Sequence, residues 1–69
     1  MSERKAGGFI FRTYLGDHAP LHVHIYDGQN RFVGRWDIEH QGPMKGDNFE
    51  VSNQLRKALH EADYLRGDP

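Results

Sequence analysis

The sequence predicts an α+β fold in which a three-stranded antiparallel meander packs on one C-terminal helix, in the order βββα. Three observations carry that prediction. Leu21 to Tyr26 alternates apolar and polar residues without a break, the period of a strand buried on one face. Turn-forming clusters at Gly16-Asp17 and at Asp27-Gly28-Gln29-Asn30 separate that run from two others. Near the end, Val51, Leu55, Ala58, Leu59, Ala62 and Leu65 recur at helical spacing.

Taken in order, residues 1–8 read as a flexible N-terminal arm ending in Gly7-Gly8. The single domain spans 9–66, and 67–69 form a short tail. Phe9 to Leu15 is rich in aromatic and β-branched residues and stops at Gly16-Asp17, so it reads as the first strand. Pro20 restarts the chain in extended conformation and the second strand follows. A hairpin at Asp27–Asn30 leads into the third strand, Arg31 to Ile38. Glu39 to Asp47 is loop, broken by Gly42-Pro43 and Gly46-Asp47. Asp47-Asn48-Phe49-Glu50 fits a capping box, with an acceptor at the helix start and Glu three residues on. Gly67-Asp68-Pro69 stops the helix.

Side-chain direction then divides the sheet. Phe9, Phe11, Leu15, Leu21, Val23, Ile25, Phe32, Trp36 and Ile38 are expected on the face covered by the helix stripe. Arg12, Tyr14, His22, His24, Tyr26, Arg31, Arg35 and Asp37 are expected on the other face, open to solvent.

Composition narrows the function classes. The chain has 69 residues and a formal charge of −1, without the basic excess of a protein that holds duplex DNA by bulk electrostatics. It is 36% hydrophobic, which suits a globular domain, and no apolar run approaches the length of a bilayer span. The N-terminus does not read as a secretory leader, so a cytoplasmic, membrane-free setting is expected. The absence of cysteine excludes disulfides, thiolate metal sites and thiol catalysis. A domain this small needs other reinforcement, and a histidine-bound metal, a homodimer or a cognate partner remain as options.

The distinctive chemistry lies in Gly16-Asp17-His18-Ala19-Pro20-Leu21-His22-Val23-His24. His22 and His24 are two apart on a strand, so their imidazoles project to one side. Three uses stand open. In one, His18, His22 and His24, with Asp17 near, hold a divalent transition metal such as zinc or nickel, which activates water. In the second, His18, His22 and His24 act as acid and base while Arg35 or Arg12 stabilises charge on a phosphate. Cleavage of RNA through its own 2′-hydroxyl then needs no metal. In the third, an exposed strand edge or the Arg/Tyr face binds a protein without turnover. Tyr14 and Tyr26 are candidates for stacking or acid–base work. Beside all three stands the plain alternative that histidines on a solvated strand are ordinary polar residues and His18-Ala19-Pro20 shapes a turn. His40 and His60 are assigned to solvent.

The histidine stretch resembles the His-x-Pro-Pro-His-x-His signature of the DUF4160 family of small bacterial proteins of unknown function. The similarity runs from the strand near Phe9, through Trp36, to the helix near Leu65. Members are often encoded beside another small protein, and the pair has been suggested to be a toxin–antitoxin-like module. The resemblance implies a βββα domain, a bacterial or phage source and a small protein partner, and transfers no established reaction. Leu21 stands where the signature has its second proline, and the terminal helix is short.

Overall fold

In the computed structural model, which describes residues 2–14, 16 and 19–67, five strands precede one helix. The strands are β1 (Ser2–Ala6), β2 (Phe9–Thr13), β3 (His22–Asp27), β4 (Phe32–Asp37) and β5 (Gly42–Pro43), and the helix is α1 (Asn53–Glu61). They form one antiparallel sheet in the order β1-β2-β3-β4-β5, each strand beside its sequence neighbour. The α+β class holds, and the expected three strands become five. Among the described residues no helix is long and apolar enough to cross a membrane.

The two added strands come from segments the sequence reading leaves irregular. Residues 2–6, expected as an arm, pair with β2 from Ser2↔Thr13 to Ala6↔Phe9. Gly7 (φ +56°) and Gly8 (φ +84°) both take positive φ, as a two-residue hairpin of the primed type requires. The charged composition of Ser2-Glu3-Arg4-Lys5-Ala6 hides this strand from a search for alternation, because only an edge strand carries so little apolar surface. Gly42-Pro43 pairs with Asp37 and Trp36 at the opposite edge, where a proline is tolerated.

The hairpin at Asp27–Asn30 forms as expected. The carboxylate of Asp27 accepts from the N–H groups of Gln29 and Arg31, both at 2.9 Å. A β-bulge between Ile25 and Tyr26 then changes the register: Ile25 faces Gly34, but Tyr26 faces Phe32. One extra residue in β4 moves a side chain to the other face. Phe32 is accordingly not in the core; it is 56% exposed and lies by Tyr26 and His24. Leu21, also expected inside, precedes β3 and is 61% exposed.

The helix begins later than the capping box suggests. Ser52 is the N-cap, with extended backbone, and its hydroxyl accepts from the Leu55 N–H at 3.2 Å. Asp47 instead binds Arg35. At the other end Asp63 takes φ +69°, the Tyr64 N–H donates to Leu59 O at 2.8 Å and the Asp63 N–H to His60 O at 3.1 Å. This is a Schellman closure built on a non-glycine residue, and it ends the helix before Leu65.

The closure turns Tyr64 inward. Its ring meets Phe11 edge-on at 5.6 Å, and its carbonyl accepts from the Trp36 indole N–H at 3.0 Å. The core therefore consists of Phe11 (β2), Val23 and Ile25 (β3), Trp36 (β4), Leu55, Ala58, Leu59 and Ala62 from the helix region, and Tyr64. Full burial of one such leucine contributes about 1.5–3 kcal/mol. Phe49 packs over Gly34, whose missing side chain leaves room: a Cβ there would lie 2.3 Å from the ring. That side of the sheet is filled by the helix and Phe49, and the alternate residues of β2, β3 and β4 fall on the other side.

Candidate functional site

Register decides which residues share the uncovered face. Arg12 (β2) stands opposite His24 (β3), which stands opposite Arg35 (β4). Tyr26 stands between Ile10 and Phe32, and His22 stands opposite Asp37. Glu3 of β1 lies beside Arg12. Six of the expected residues, Arg12, Tyr14, His22, His24, Tyr26 and Arg35, thus lie on or beside one face. His18 and Asp17 lie outside the described residues.

The rings form a continuous patch. His24 is central: Tyr14 meets it edge-on at 4.8 Å, His22 lies 5.3 Å away and Phe32 6.3 Å away between ring centres. Tyr26 meets Phe32 at 5.6 Å, and the Tyr14 and Tyr26 hydroxyls are 3.1 Å apart. Arg12 lies over the Tyr26 ring at 4.6 Å. The two imidazoles point away from the hydrophobic core, yet His22 is only 7% exposed. Its Nδ1 lies 2.7 Å from the Pro20 carbonyl, an acceptor to which that nitrogen donates.

The arginines are held by carboxylates of the same chain. Arg12 donates to Glu3 at 2.8 Å, which holds the Glu3 carboxyl below its usual range and raises the guanidinium. Arg35 donates to Asp47 through its backbone N–H at 2.8 Å, Nε at 3.1 Å and Nη2 at 2.9 Å. That pairing, chiefly the side-chain hydrogen bonds, holds Asp47 low against partial burial, and the nearby His24 adds a small effect in the same direction. Arg31 leaves the face at the hairpin and pairs with Asp27 at 2.9 Å. The hydrogen bond to Tyr26, followed by burial, raises the Tyr14 phenol.

Asp37 is placed differently from expectation. It faces His22 in register, but its buried carboxylate turns to His40, accepting from that residue's backbone N–H at 2.9 Å and meeting its Nδ1 at 2.7 Å. Burial acts to raise Asp37; the hydrogen bonds from His40 and from the Glu39 N–H outweigh it and lower it. His40 is exposed, as the sequence suggests, but it is oriented. An open cleft of about 430 Å³ adjoins this pair, lined by Pro20, Asp37, His40, Pro43, Met44 and Lys45. Among the described residues, no group of three or more His, Cys, Asp or Glu is placed to hold a metal ion.

Sequence reasoning missed Glu3, Asp47, Phe32 and the Asp37–His40 pair. The signal for Glu3 was its parity with Lys5 in a five-residue charged run, and for His40 its spacing of three from Asp37. Nothing local marks Asp47 as the partner of a residue twelve positions earlier. Phe32 needed knowledge of the bulge. No family model matches the chain, and comparison with the curated proteins and with the solved structures gives no match.

Proposed function

We propose that this domain is a recognition module whose His/Arg/Tyr face binds a cognate small protein, the partner of a toxin–antitoxin-type pair. The observation that carries the reading is the state of the arginines. Arg12 and Arg35 already answer Glu3 and Asp47, so the face is close to charge balance and gives a polyanion little to gain. What the face does present is a ring patch of Tyr14, His24, Tyr26 and Phe32 with a stacked arginine. Tyrosine and arginine anchors ringed by polar groups are the composition of protein-interface hot spots. The nature of the partner, a small protein encoded alongside, comes from the resemblance of the histidine stretch.

The test is titration calorimetry between this protein and the product of the adjacent gene. Tyr26→Ala combined with Phe32→Ala is expected to weaken binding by about 1000-fold, since hot-spot truncations cost ~2 kcal/mol each. Wild-type affinity in that double variant would remove the face from the interface.

A second reading, metal-independent RNA cleavage, has one specific observation behind it: the paired imidazoles of His22 and His24, 5.3 Å apart and facing away from the core. It requires 2′,3′-cyclic phosphate ends on a cleaved RNA and their loss in the His22→Ala, His24→Ala double variant. Equal cleavage by that variant would end this reading.

A further inference from the structure

We infer that β1 is a self-association edge, pairing antiparallel with β1 of a second copy in a register centred on Arg4. This edge adjoins the His/Arg/Tyr face, which Glu3 meets through Arg12, but the inference does not depend on the reading proposed above.

The argument begins with backbone direction. Ala6 and Phe9 flank a two-residue hairpin, so they exchange both of their hydrogen bonds. In an antiparallel pair such bonded positions alternate. Ala6, Arg4 and Ser2 therefore direct N–H and C=O toward β2, while Glu3 and Lys5 direct theirs outward. β1 is an edge of the sheet, so those groups meet no other strand among the described residues. The strand has no proline, and its pairing with β2 runs through five consecutive residues without a bulge. Proline and a bulge, two common protections of an edge, are thus lacking, and a third, charge, depends on the register in which a second strand arrives.

Charge then selects the register. Outward-directed positions must face each other for the chains to bond, which allows antiparallel pairing centred on residue 3, 4 or 5. Centring on Glu3 sets that carboxylate opposite its own copy, and centring on Lys5 does the same for the ammonium. Centring on Arg4 sets Glu3 opposite Lys5 of the second copy, twice, by two-fold symmetry. Opposite charges directly across a ladder attract, and like charges repel. Glu3 and Lys5 are both exposed and share one face of the strand. The residue on the axis, Arg4, is held back on its own chain: Nη1 donates to Ala62 O at 2.6 Å, and its guanidinium lies over Tyr64 at 5.3 Å. Asp63, 4.0 Å from Arg4, offsets its charge there. The product is a continuous ten-stranded sheet (twice the five strands of one copy) with both helices on one side. Both His/Arg/Tyr faces stay on the other side.

Sedimentation equilibrium over a concentration series tests this. Wild type is expected to self-associate reversibly. Lys5→Glu keeps the Glu3–Arg12 pair but sets two pairs of carboxylates across the axis, and is expected to weaken the dimer about tenfold or more. Its far-UV dichroism and cooperative melting should be unchanged. Glu3→Lys alone is expected to weaken the dimer likewise, and mixing it with Lys5→Glu should yield a one-to-one heterodimer, since both cross-chain pairs are then opposite in charge. A wild type that is monomeric throughout, a folded Lys5→Glu variant that dimerises as before, or two folded variants that fail to associate on mixing would each overturn the inference. Should Glu3→Lys not fold, the comparison of Lys5→Glu with wild type decides alone.

Discussion

The two faces of β2, β3 and β4 are built from alternate residues of the same three segments, and they are held by different physics. On the helix side, Phe11, Val23, Ile25 and Trp36 are buried against Leu55, Ala58 and Leu59. Contacts there are apolar, and the main polar link is the Trp36 indole bonding the Tyr64 carbonyl. On the other side, cohesion comes from ion pairs and ring contacts: Glu3–Arg12, Arg35–Asp47 and Tyr14–Tyr26. The difference teaches where stability and recognition reside. Burial on the first face supplies most of the folding free energy, because removing apolar area from water is the dominant favourable term. The second face buries its rings only in part and leaves Phe32 56% exposed, which makes it available for binding.

Truncation separates the two most strongly. Leu59→Ala removes a fully buried side chain and is expected to destabilise by about 2–5 kcal/mol in urea unfolding. Phe32→Ala, a truncation of similar chemistry on the open face, is expected to change stability by about 0.5 kcal/mol or less. Comparable costs for the two would break the contrast and show that Phe32 supports the fold.

Acid is expected to act on the open face and its rim. Glu3, Asp27, Asp37 and Asp47 all have carboxyls held below their ordinary values. A depressed folded-state value means stability that is complete above the unfolded-state value and lost as pH falls through the folded one. Melting temperature should therefore hold at neutrality and fall once pH drops below 4.5 and 3.8, the ordinary Glu and Asp values. Asp47→Asn should cost about 1–3 kcal/mol at pH 7, through its charge-assisted bonds to Arg35, and flatten the acid slope. An unchanged slope in that variant would assign the acid dependence to the other three carboxyls.

The smallest effect sharpens the description of the ring patch. Tyr26→Phe removes the hydroxyl that raises the Tyr14 phenol. Spectrophotometric titration should then find Tyr14 ionising at lower pH, nearer the ordinary value of 10.0, with the melting temperature almost unmoved. No change would mean that the two hydroxyls do not bond in solution.

Much of this arrangement was legible in the residues. The alternation of Leu21 to Tyr26 correctly set His22, His24 and Tyr26 against Val23 and Ile25, because strand parity is a local property of the chain. The same parity brought Arg12 and Arg35 to the histidines. The helix stripe was right for Leu55, Ala58, Leu59 and Ala62. The errors lie where a distant group intervened. Asp47 has the form of a helix cap, but Arg35 across the fold takes its carboxylate, and Ser52 caps instead. Phe32 has the form of a core residue, but the bulge beside Tyr26 turns it outward. β1 lacks any apolar pattern, since its order comes from the ladder with β2.

By itself, then, the sequence determined the α+β class, the covered stripe of the helix and the common side of the two imidazoles, all of which follow from periods of 2.0 and 3.6 within one segment. Only the tertiary structure decided which carboxylate holds each arginine of the open face, how far His22 is covered and which strand forms the free edge. Those outcomes depend on which segments meet in space. A pairing between residues far apart in the chain leaves no periodic trace in either.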